Sequence, residues 1–165
     1  MTTDPPEPLA LPSPAAAPPD PSVAQVVEDV RDLVGAGIRL DQELVAAAVR
    51  GWSNNTRRAF CSDLKVWGDW CRRHGIAPVR ATQSDVAAYI RALSGIDPSA
   101  EKVRAMATIE RYVSYIGRAY RMAGLADPTA GELVTLEKKA ARKKRGVRQR
   151  QARAIRFKGD IADFD

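Results

Sequence analysis

Arg58, Ser62 and Lys65 fall on one side of a helical plot at 100° per residue, and Arg72 joins them about two turns further on. Ala107, Arg111, Ser114, Arg118 and Arg121 gather in the same way on a second helical stretch. Faces built from guanidinium, ammonium and hydroxyl groups contain no nucleophile with a base. Their chemistry is the neutralisation and hydrogen bonding of phosphate oxygens, and the major groove of duplex DNA is wide enough to admit an α-helix that carries them. A solvated helix surface shows charges of the same kind, so the pattern alone leaves both readings open.

The remaining residues exclude most other chemistries. A hydrolase needs a nucleophile beside a base, paired carboxylates or a metal cage. The chain has one histidine, His74, and neither a Gly-x-Ser-x-Gly nor a His-Glu-x-x-His motif. No glycine-rich loop precedes a helix to cradle a phosphate. Cys61 and Cys71 stand ten residues apart on one helix, roughly 15 Å by helical rise, whereas a disulfide needs Cα atoms within about 7 Å. Cys71 and His74 lie one turn apart, but soft ligands from a single helix do not close a tetrahedral site. Both thiols are therefore expected in the core, with no metal, cofactor or small-molecule substrate. Tyr89, Tyr112 and Tyr120 sit on apolar stripes, and Tyr115, on a flank, is the tyrosine placed to touch a ligand.

Length and charge narrow the class. The 165 residues carry a formal charge of +6, unevenly spread. Residues 1–50 hold eight acids and three bases, while 138–158 hold eleven Lys or Arg and no acid. That asymmetry favours a polyanionic partner for the C-terminal part, with nucleic acid ahead of a membrane surface. No apolar run approaches the roughly 20 residues of a membrane helix, and no signal-type segment opens the chain, so a cytoplasmic protein is expected.

The elements that position these residues follow from periodicity and capping. Residues 1–21 contain eight of the eleven prolines and are expected to be a disordered tail. Ser22 caps a short extra N-terminal helix within 22–37, with Val23, Val26, Val27, Val30, Leu33 and Val34 on one side. A second helix spans 40–50, with Leu44, Val45, Ala48 and Val49. The central helix runs from the Ser53 cap to Gly75, with Phe60, Leu64, Trp67 and Cys71 on one stripe, flanked by Trp70. Thr82 and Asp85 form a capping box for a helix through Val86, Tyr89, Ile90 and Leu93 that ends near Gly95. Pro98 is expected to open the longest helix, 99–123, with Ile109, Val113, Ile116 and Tyr120 inward. A last helix, 130–145, takes Leu133, Leu136 and Ala140 as its apolar side. Strand signals do not occur, so an all-α bundle of four to six helices is expected over 38–145, followed by an extended basic linker over 146–165.

Thr56 to Cys71 with Trp67, Trp70 and Cys71 at their spacing, then Ser84-Asp85-Val86 leading to Tyr89 and Leu93, then Thr108-Ile109 through Tyr120-Arg121 to Gly124, resemble a known domain. The ordered succession, covering roughly 40–157, is similar to the N-terminal core-binding, SAM-like domain of tyrosine site-specific recombinases, the phage integrase family, most of all its Cre type. The resemblance implies a helical half-clamp whose second and fourth helices lie against the major groove of a recombination half-site. It carries DNA-facing roles to Thr56, Arg58, Ala59 and Ser62 on one helix and to Thr108, Arg111 and Tyr115 on the other. Lys65 and Arg118 join them from the helical plot alone. The Cre-type domain has Met at the position of Ala59, Lys at that of Ala107 and Gln at that of Arg111, which implies a different target sequence. By the same resemblance Lys143 and Arg148 lie along the phosphates, Ile155 and Phe157 pack on a catalytic domain, and helix 40–50 touches a neighbouring protomer. The family cleaves DNA with a tyrosine assisted by Arg, Lys, His and Trp, without metal or nucleotide. None of those catalytic residues can be carried onto this sequence, so the expectation is a DNA-binding chain without strand cleavage of its own.

Two other readings fit the charge pattern. One is a stand-alone helical DNA-binding regulator, and the other is a helical protein-interaction module whose basic end meets an acidic protein.

Overall fold

The computed structural model describes residues 20–98 and 101–146. Among them are six α-helices and no strand: α1 (Val23–Val34), α2 (Gln42–Arg50), α3 (Asn54–Arg73), α4 (Gln83–Ser94), α5 (Met106–Met122) and α6 (Glu132–Arg145), with a short 3-10 turn at Pro78–Arg80. The chain is all-α, as its periodicity predicts. The expected tail falls mostly outside the described residues, as does the linker beyond Gly146, with Arg148, Ile155 and Phe157 in it.

Local signals set most of the ends. Ser22 Oγ accepts from Gln25 N at 3.1 Å, Asp41 Oδ1 from Leu44 N at 3.0 Å and Ser53 Oγ from Thr56 N at 3.2 Å, each satisfying a donor that the first helical turn leaves unpaired. Thr82 N donates to Asp85 Oδ2 at 2.7 Å in the capping box. Gly95 ends α4 with φ 75°, and Ile96 N reaches back to Arg91 O at 3.1 Å.

The centre is aromatic. Trp67 is fully buried, stacks on Trp70 with centroids 5.5 Å apart, and lies 5.1 Å from Tyr89. Its Nε1 donates to Tyr120 Oη at 3.3 Å, and that hydroxyl donates in turn to Pro78 O. α3 and α5 are thereby joined through a polar bond as well as through area burial. α1 packs on α2 and α3, and its buried valines belong to the same core. Cys61 and Cys71 are buried free thiols, each pushed up to about 12 chiefly by burial.

Two expectations need correction. α5 begins at Met106, seven residues after the expected start at 99, so α3 with its 20 residues is the longest helix. Tertiary bonds hold part of the preceding connector out of the helix: Arg104 N donates to Leu93 O at 2.8 Å, and Glu101 pairs with Arg73 of α3. The second correction concerns α6, which buries Val134 and Ala141 and leaves Leu136 53 % exposed. α6 lies mainly across α4, and Glu137 bonds Arg91 there at 2.6 Å, which turns the helix off the expected Leu133, Leu136 and Ala140 stripe.

Candidate nucleic-acid interface

α3 is enclosed on two flanks and open on the third. α1 covers the side of Cys61 and Gly68, where Leu33 approaches the helix, and α5 covers the side of Asp63. Between them, in order around the helix, lie Lys65, Arg58, Ser62 and Ala59. The first three are exposed and Ala59 is half-buried. Where the helices touch, Phe60 meets Tyr115 edge to face at 5.4 Å and Asp63 meets Arg111, so a step forward along α3 is a step back along α5. The outer face of α5 therefore continues the open arc of α3.

The candidate side chains divide into tethered and untethered groups. Arg111 donates from Nε to Asp63 Oδ2 at 2.8 Å and from Nη2 to Oδ1 at 3.1 Å, with its Cζ 5.6 Å from the Tyr112 ring centroid. Asp63 is only 3 % exposed, and desolvation raises its carboxyl even though the Arg111 guanidinium pulls the other way. The arginine's own titration moves up, because the Asp63 hydrogen bonds favour its charged form. Arg118, half-buried, places its guanidinium 5.1 Å from the Trp52 ring centroid, and Trp52 rests on Phe60 at 5.0 Å. Arg58 pairs with Asp20, whose other oxygen accepts from Asn54 Nδ2 at 2.9 Å. Thr56 shares a 2.9 Å bond with the capping Ser53, and Thr108 is half-buried in the first turn of α5. Ser62, Lys65 and Lys143 make no hydrogen bond or ion pair with any described residue. Lys143 stands in the basic last turn of α6 with Arg142, Lys144 and Arg145.

Arg142 bonds Glu110 of α5 through Nε at 2.8 Å. Glu110 precedes Arg111, so this contact holds the basic end of α6 beside the turn of α5 that carries Arg111. Periodicity could not find Asp63, Trp52, Asp20 or Glu110. For Asp63 a signal existed: an acid inside the Phe60–Trp67 stripe has to be buried with a cation.

Elsewhere the described residues offer little further chemistry. The groove between α1 and α3 is lined by Asp29, Asp32, Lys65, Asp69 and Arg72, of mixed sign. Among the described residues no three His, Cys, Asp or Glu side chains gather as a metal site, and no helix is long and apolar enough to cross a membrane.

No curated protein and no solved structure matches the chain. Residues 47–123 match the family described as phage integrase, N-terminal SAM-like domain, a stretch that takes in the whole of α3, α4 and α5 and supports the tyrosine recombinase and integrase family.

Proposed function

We propose that this chain is the core-binding half-clamp of a Cre-type tyrosine recombinase, gripping duplex DNA through the outer faces of α3 and α5. The observation that carries the reading is the Asp63–Arg111 contact, which joins the open arc of α3 to the outer face of α5. Arg58, Ser62 and Lys65 lie on the exposed arc of α3 between α1 and that contact, Arg111 stands at the contact on α5, and Arg142 in the basic last turn of α6 bonds Glu110, the neighbour of Arg111. Thr56, Ala59, Thr108, Tyr115 and Arg118 complete the face, and Arg148 continues the basic run in sequence. The role is binding: phosphate neutralisation supplies affinity and α5 supplies register. Self-association on DNA follows from the same reading, with the exposed Leu44 and Ala48 of α2 facing a neighbouring copy. The cytoplasm is where such a protein meets its substrate.

Fluorescence anisotropy with labelled duplexes tests the proposal. Affinity should fall on the order of a thousandfold or more between about 50 and 200 mM salt if some six or more phosphates are contacted. An affinity indifferent to salt, or stronger capture of an acidic protein than of DNA, would remove nucleic acid as the partner.

A further inference from the structure

The Asp63–Arg111 pair has one end inside the protein and one outside. Asp63 is 3 % exposed in the α3–α5 seam, and both its oxygens are taken by Arg111, whose side chain is 46 % exposed. A guanidinium has five N–H donors. Two of them, on Nε and Nη2, point inward to Asp63, which leaves the pair on Nη1 and the second on Nη2 along the outer edge. The Tyr112 ring, 5.6 Å from Cζ, limits movement on one side.

This arrangement fits a task that demands direction more than charge. Holding a phosphate requires a cation within reach, and a buried carboxylate 2.8 Å away offsets much of that charge. Reading a base requires two N–H groups at fixed spacing and angle. The outer Nη1–Nη2 edge supplies them, in the geometry that matches O6 and N7 of guanine in the major groove. Lys65 and Lys143 show the contrast, since both are exposed with no described partner to aim them. An arginine already held in place also loses less side-chain freedom when it docks.

We propose that Asp63 is a positioning residue for base readout, holding Arg111 so that its outer edge reads one guanine of the target duplex. This rests on the DNA-binding reading and adds to it a base identity and a residue that never touches DNA.

The test is a selection from a randomised duplex pool with the unaltered chain, then anisotropy on the selected duplex and on variants changed one base pair at a time. The unaltered chain should show one G·C position whose replacement weakens binding roughly tenfold or more. Asp63→Asn and Arg111→Lys should each reduce the penalty at that position to less than about threefold and leave the other positions alone. Asp63→Asn should also bind unrelated duplexes at least as tightly as the parent, with a salt slope steeper by up to about one, because Arg111 then carries its full charge. A pair that is only structural would change melting and leave the position profile intact. Should Asp63→Asn fail to fold, Asp63→Glu, which keeps the buried carboxylate and displaces the guanidinium by about one methylene, takes its place and should likewise flatten that position, while Arg111→Lys tests only the reader itself. A position profile unchanged in the variants overturns the role of Asp63 and leaves DNA binding standing; an unaltered chain that binds no duplex overturns both.

Discussion

The α3–α5 face and the end of α6 are both basic, yet they present their charge in different ways. On the first, Arg58, Arg111 and Arg118 are each held by Asp20, Asp63 or Trp52. On the second, Lys143, Lys144 and Arg145 extend from an exposed last turn with no described partner. A tethered cation contributes direction and gives up part of its charge, whereas a loose one contributes charge alone. On the proposed DNA-binding reading the two surfaces would divide the work, with selectivity on α3 and α5 and general affinity at α6.

The largest effect that sharpens this contrast lies beneath the tethered face. Trp67→Ala removes the ring that stacks on Trp70, meets Tyr89 and bonds Tyr120, and should cost about 3–5 kcal/mol in chemical denaturation. Loss of a similar size from a substitution at exposed Leu136 would contradict the packing described for α6. Next in size, replacing Lys143, Lys144 and Arg145 together by Gln should weaken every duplex alike and reduce the salt slope by about two to three. A loss confined to particular sequences would break the comparison, because the end of α6 would then be reading bases. The smallest effect concerns Asp20. Asp20→Ala frees Arg58 from an exposed pair, a contact worth about 1 kcal/mol or less, so affinity for duplex DNA should rise only a few-fold and with little change in melting. A fall in affinity would show that Asp20 orients Arg58 instead of competing for it.

Much of the scaffold was legible in the residue order. The Ser53 cap, the Phe60, Leu64, Trp67 and Cys71 stripe and the Thr82–Asp85 box all lie where spacing puts them, because each depends on neighbours within one or two turns. The start of α5 was not legible. Pro98 is a sound opening signal, but the Arg104–Leu93 backbone bond and the Arg73–Glu101 pair outweigh it, and both come from elsewhere in the chain. The inward side of α6 escaped for a related reason. Its few apolar residues define no strong stripe, so contact with α4 chose Val134 and Ala141.

The candidate site divides along the same line. Residue order alone determined that two long helices carry arginine and hydroxyl groups opposite an apolar seam, since a period of 3.6 residues is a local property of the backbone. Only the tertiary structure decided which of those arginines are held and which cations are loose. Arg111 finds Asp63 across 48 positions of sequence, and a buried carboxylate draws in whichever cation the fold brings within reach, because it cannot stay ionised there without one.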